Sequence, residues 1–249
     1  MGQHGKYRAL VGAAALALTC GVVGAALADP CRQALALGLD VSGSVNEREY
    51  RLQLDGLAAA LDHPDVASAI LAMPGTPVRV MVFEWSGPRD QRLLLDWTPV
   101  PDSATLAQLT ATLRGTTRTP ANPSTALGTA IIWGAQKLAQ QPDCWKRTLD
   151  ISGDGKSNTG PRPQDVADQP VLAGITVNAL VIGSDTPGGG VRTGEIGDLE
   201  TYFRSLVIRG PAAFVEVAED FADYQAAMIR KLLREVEGMA LSQTLPDAQ

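Results

Sequence analysis

In Ala34–Leu61, ALALGLDVSGSVNEREYRLQLDGLAAAL, three patterns follow one another without a break. Ala34–Val41 is a short, almost wholly apolar run, which predicts a strand buried on both faces. Glu47–Leu61 puts Tyr50, Leu54, Leu57 and Leu61 on one face of an amphipathic helix. Between them lies DVSGSVN, with Asp40, Ser42 and Ser44 at alternate positions. A buried strand feeding a helix through a polar loop is the opening of a β–α–β unit.

The rest of the chain repeats that alternation. Val78–Glu84, opened by Pro77, predicts a second strand, and Leu93–Trp97 pairs beside it after the turn SGPRD as a hairpin-like edge. Ser103–Leu113 predicts a helix with Ser103 as its N-cap, and Ala126–Gln140 a more apolar one. Then come a strand at Arg147–Ser152, a helix at Gln164–Ala173 stopped by Gly174, and the buried strand Ile175–Ile182. A short helix at Leu199–Ser205, the strand AAFVEVA and a helix over Phe221–Val236 close the series. Parallel strands need long crossovers, so the pattern predicts an α/β fold, doubly wound, with a mostly parallel central sheet and helices on both faces. Ligands of such folds collect at the carboxyl ends of the strands.

The first 28 residues read as a signal peptide: Lys6 and Arg8, an apolar run from Ala9 to Leu27, and a small-x-small ending at Ala26–Ala28. A membrane anchor is the competing reading of the run, and Cys20 in ALTC makes a poor lipidation box. The expectation is a periplasmic or secreted bacterial protein with one domain over 29–238, a polar tail over 239–249, and no stable membrane span after cleavage. The chain carries 21 Lys and Arg against 27 Asp and Glu; without Lys6 and Arg8 it stands at 19 against 27, a net −8. That balance repels phosphate backbones and excludes nucleic acid as a natural partner.

Three loops at strand carboxyl ends carry oxygen ligands. They are Asp40-Val-Ser42-Gly-Ser44; NPSTALGTAI, with Thr125 (and Ser124 as a second candidate) opening a helix; and DISGDGKSN, with Asp154 after its strand. Two carboxylates and three hydroxyls suit a hard cation such as Mg²⁺. Here the chain resembles the von Willebrand factor A-like domains with a metal-ion-dependent adhesion site, whose pattern is Asp-x-Ser-x-Ser, a Thr on a second loop and an Asp opening a third. The resemblance covers about Cys31–Glu237, and FEWSG and SGDGKSN look like an exported bacterial group described only as a domain of unknown function. It implies a Rossmann-type sheet and a divalent cation, Mg²⁺ foremost, with Mn²⁺ or Ca²⁺ as alternatives. It also implies direct ligation by Ser42, Ser44 and either Thr125 or a water, with Asp40 and Asp154 acting mostly through water. The open coordination position would take an Asp or Glu of a partner protein, which makes the chain a non-enzymatic binding module. The alternative is a metal-assisted hydrolase that uses the same carboxylates to activate water.

Other chemistry finds little support. Gly-Lys-Ser in GDGKSN lacks the upstream glycine of a phosphate-binding loop, since position 150 is Asp. His63 is the one histidine outside the leader, which excludes a histidine triad or a zinc cluster. Trp85 and Arg89 in EWSGPRD form a candidate binding rim, with a packed Trp beside a turn as the equal alternative. Cys31 and Cys144, two cysteines of an exported chain, suggest a disulfide, with two separate buried thiols as the alternative. In the architecture the resemblance implies, both lie at the sheet edge away from the metal, on neighbouring parallel strands.

Overall fold

The computed structural model describes residues 1–2, 30–183 and 192–237. The signal peptide and the polar tail predicted for the two ends fall outside the described residues, apart from Met1 and Gly2. Six strands form one sheet in the order β3-β2-β1-β4-β5-β6: β1 (Cys31–Asp40), β2 (Val78–Trp85), β3 (Gln91–Val100), β4 (Cys144–Gly153), β5 (Thr176–Ile182) and β6 (Val215–Ala218). Every neighbouring pair is parallel except β2 and β3, which form the antiparallel hairpin edge. The fold is therefore the doubly wound α/β sheet expected, and the strand order reverses between β1 and β4.

Alternation along the strands sorts side chains into two cores. Leu35, Leu37 and Leu39 of β1 face α1 (Glu47–Leu61), α2 (Pro64–Leu71), α3 (Ser103–Gly115) and α7 (Tyr224–Glu237). Ala34 and Ala36 face α4 (Leu127–Leu138), α5 (Pro163–Val166) and α6 (Arg192–Leu206). The small side chains on that second face let α4 close onto the sheet. Among the described residues, no helix is long and apolar enough to cross a membrane.

Several boundaries differ from the sequence expectation for local reasons. Helix α2 is an extra element begun by Pro64 at its first turn, where a missing N–H costs nothing. The cap of α3 is Asp102, whose side chain accepts from Thr105 N, and Ser103 is already helical. The predicted helix 164–173 is only α5, because Pro170 interrupts it and opens a 3-10 turn at Pro170–Leu172. Strand β3 runs further at both ends than 93–97, tolerating Pro99 on the sheet's outer edge.

Cys31 and Cys144 stand opposite each other at the first residues of β1 and β4 and are joined by a disulfide, with Cα atoms 4.4 Å apart. Under α7 lies a buried charged cluster. Lys231 Nζ is 2.8 Å from Asp150 Oδ1 and 2.6 Å from Glu235 Oε1, and Asn178 Nδ2 donates to Glu235 Oε1 at 2.7 Å.

Candidate metal centre

Loop one leaves β1 at Asp40, which is fully buried. Ser42 N donates to Asp40 Oδ1 at 2.8 Å, turning the chain back on itself, and Gln53 Nε2 holds the Asp40 carbonyl at 3.0 Å. Helix α1 is capped by Asn46, which accepts from Glu49 N while Glu49 Oε2 accepts from Asn46 N. This capping box satisfies the helix start, so neither Ser42 nor Ser44 is consumed there. Ser42 Oγ lies 3.2 Å from Ser44 Oγ, and Ser44 Oγ donates to Asp154 Oδ1 at 2.7 Å. Four of the five sequence-selected residues are thus linked into one chain of contacts: Asp40, Ser42, Ser44 and Asp154.

Thr125 joins them through backbone rather than through its hydroxyl. Gly43 N donates to Pro123 O at 2.9 Å, and Ala126 N donates to Ser86 O at 2.7 Å, which seats loop two between loop one and the end of β2. A Cβ on Gly43 would stand 2.8 Å from the Pro123 side chain, so this seat requires glycine. Ser124, the second candidate, turns its Oγ onto Asn122 Oδ1 at 2.7 Å, within its own loop.

Sequence reasoning missed Asn158. Its Oδ1 accepts from Thr125 N and its own N donates to Thr125 O, each at 2.9 Å, while Ser157 Oγ donates to the same carbonyl at 3.3 Å. Loop three is thereby pinned to loop two through both backbone polar groups of one residue, Thr125. An asparagine in a polar loop carries no signal by itself; only the reciprocal pairing reveals it.

The electrostatics of the site favour a bound cation. Burial first, and the nearby Asp154 charge second, push the Asp40 carboxyl up to about 8, against the Ser42 hydrogen bonds that pull it down. Burial also raises Asp154, opposed by Ser44. Asp40 Oδ2 is buried with no hydrogen-bond partner. A buried carboxylate oxygen with no donor, beside a second carboxylate and two hydroxyls, fits a divalent cation and its water shell. The set is hydroxyl-rich: no group of three or more His, Cys, Asp or Glu among the described residues could hold a metal ion.

The candidate rim divides. Trp85 is fully buried, packed in the α4–α6 core beneath the site, so the rim expectation fails for it. The reason is parity: Met81, Phe83 and Trp85 share one face of β2. Arg89 is exposed on the β2–β3 turn.

A doubly wound sheet of this strand order, with Asp-x-Ser-x-Ser, Thr and Asp on three loops at one pole, has the von Willebrand A-like fold. Residues 30–240 match the profile of DUF1194, described as a protein of unknown function, and the chain belongs to that family. Solved structures agree on the fold. A von Willebrand factor type A structure from Catenulispora acidiphila is 16% identical, with a TM-score of 0.56, over 83% of this chain and 43% of that one. Proximal thread matrix protein 1 from the mussel byssus, in a form with a zinc-occupied MIDAS motif, is 17% identical, with a TM-score of 0.56, over 82% and 48%. The pilus adhesin SpaC from Lactobacillus rhamnosus GG, in its open conformation, is 12% identical, with a TM-score of 0.58, over 84% and 30%. The chain spans less than half the length of each of these three. Among curated proteins, no sequence matches.

Proposed function

We propose that this chain is an exported, non-enzymatic protein-binding module that captures a carboxylate of a partner protein through a divalent cation, Mg²⁺ foremost. Asp40, Ser42, Ser44, Thr125 and Asp154 would hold the cation, which supplies a Lewis-acidic position for the outside carboxylate. The observation that carries the reading is the buried, donorless Asp40 Oδ2 beside the Ser42–Ser44–Asp154 chain of contacts. Hydroxyl ligands leave the cation less neutralised than a carboxylate cage does, and so keep its appetite for an added carboxylate. The adhesin and matrix proteins that share the fold support a role in protein contact. The apolar leader and the Cys31–Cys144 bridge support export to an oxidising compartment, the periplasm or the outside of the cell.

Calorimetry with Mg²⁺ and Mn²⁺ tests the site. Asp40→Ala and Asp154→Ala are each expected to abolish binding; unchanged affinity in both overturns the assignment. A pull-down from periplasmic extract, with Mg²⁺ and with a chelator, tests the partner: proteins retained only with the metal support the reading, and a metal-independent set contradicts it. Turnover of phosphoesters or peptides that is lost in Asp154→Ala would replace the module by a hydrolase.

A further inference from the structure

A cleft of about 240 Å³ opens beside the metal loops, between the β2–β3 turn and the segment leading into loop two. Its lining includes Val41, Glu84, Arg89, Arg92, Thr119 and Ala121. It shares a wall with the candidate metal centre: Val41 stands between Asp40 and Ser42, and Ala121 lies two residues before the Pro123 carbonyl that holds Gly43.

The charges inside the cleft are not equivalent. Glu84 is buried and fully engaged, accepting from Tyr50 Oη and from Arg92 Nε at 2.8 Å. Arg92 is correspondingly committed to Glu84 and to the Thr117 carbonyl. Arg89 makes no hydrogen bond and no ion pair among the described residues, although Arg51, Arg92, Arg114, Arg162, Arg204 and Arg230 each lie against a carboxylate. In a chain with more acids than bases, a guanidinium left unpaired on a well-braced turn is a group held ready for an outside anion. The bracing is backbone: Ser86 N donates to Asp90 O, Asp90 N to Gly87 O, and Gln91 Nε2 to Gly87 O. Gly87 also abuts Asn122 of loop two, so Arg89 rides on the same scaffold as Thr125. Arg118, next to the lining residue Thr119, has no carboxylate partner either; it stacks over Tyr50 and reaches Val41 O at 3.4 Å. Asp90 is the opposing charge in the cleft, its Oδ2 tucked 2.7 Å from where a Gly87 Cβ would stand.

We infer that this cleft, through Arg89, binds a second carboxylate of the same partner, so that the module recognises paired acidic side chains rather than a lone one. The inference rests on the metal reading above, and its test separates the two. The probes are capped alanine hexapeptides carrying one Glu, or two Glu separated by none, one or two residues, titrated by NMR in Mg²⁺ and in a chelator. In Mg²⁺ the best two-Glu peptide binds about tenfold tighter than the one-Glu peptide, the worth of one charge-assisted contact and well beyond the statistical gain of a second Glu. Arg89→Ala removes that advantage and leaves one-Glu affinity and Mg²⁺ affinity unchanged; Arg89→Lys keeps part of it; Asp90→Asn enlarges it. A two-Glu advantage that is absent in the native protein, or intact in Arg89→Ala, overturns the inference while the metal reading stands. One-Glu binding that is absent in Mg²⁺ or survives the chelator overturns the metal reading, and this inference with it.

Discussion

Ser44 Oγ donates to Asp154 Oδ1 over 2.7 Å, joining two residues 110 positions apart. The contact is solvent-exposed and adds little to folding, so its value lies in aligning two loops. Ser44→Ala is expected to weaken Mg²⁺ binding at least about tenfold while moving the melting temperature by about 2 °C or less. Calorimetry and a thermal melt on the same sample check both halves.

Asn158 stands one step behind the candidate ligands. Removing its amide leaves Thr125 N without its acceptor and loosens the clamp between loops two and three. Asn158→Ala should cost about tenfold in Mg²⁺ affinity, as loss of an outer-shell partner commonly does. Asn158→Asp keeps the acceptor oxygen and should retain more of the affinity. Equal losses in the two variants would contradict the clamp.

Gly128, in the first turn of α4, is a packing constraint. A Cβ there would fall 2.2 Å from the Pro161 carbonyl, a backbone atom with little room to retreat. Gly128→Ala should destabilise by about 1–3 kcal/mol or more, read as a lower midpoint in urea.

The cluster under α7 makes stability depend on pH. Two carboxylates and one ammonium are buried together, and burial, with Glu235 adding, raises Asp150 to about 7 even though Lys231 pulls it down. Lys231 is itself raised by its two carboxylates, against its desolvation, and stays charged throughout. An acid whose folded value lies above its unfolded value contributes stability that is present below about 4 and lost as the pH climbs through about 7. Asn imitates the protonated acid, so the stability of Asp150→Asn relative to the native chain should improve as pH rises from about 5 to about 8. Denaturant titrations across that range would show a flat difference if the cluster carried no such linkage.

The disulfide closes a loop with a sequence separation of 113. In the chain-entropy account that crosslink is worth up to roughly 4–5 kcal/mol, which the Cys31→Ala, Cys144→Ala double variant should forfeit. Thiol counting on the native domain, residues 29–249, should find none free; two titratable thiols would contradict the bridge.

The fold was legible where periodicity was strong. Buried strands such as Ile175–Ile182 announce themselves as apolar runs, and the polar loops after β1 and β4 pointed to one pole of the sheet; loop two, expected at a strand end as well, instead joins α3 to α4. Helix α2 escaped because eight residues, the first of them a proline, give too few turns for a clear period. The helix expected over 164–173 ignored what Pro170 does to a preceding turn. Trp85 was left open between rim and packed core because an aromatic residue beside a turn suits both, although counting by twos from Phe83 puts it in the core. At the site, ligand types can be read from the residues, whereas Asn158 and the donorless oxygen of Asp40 are facts of geometry alone.

Strands β1 and β4 carry the outer two of the three loops at their carboxyl ends and the Cys31–Cys144 bond at their first residues. A load applied at the loop pole would run along both strands in the same direction, so the ladder between them would not be peeled one rung at a time. At the far end that tension meets a covalent tie instead of a frayed strand start. The candidate site thus lies at one pole and a covalent tie at the other, with the two most central strands running between them.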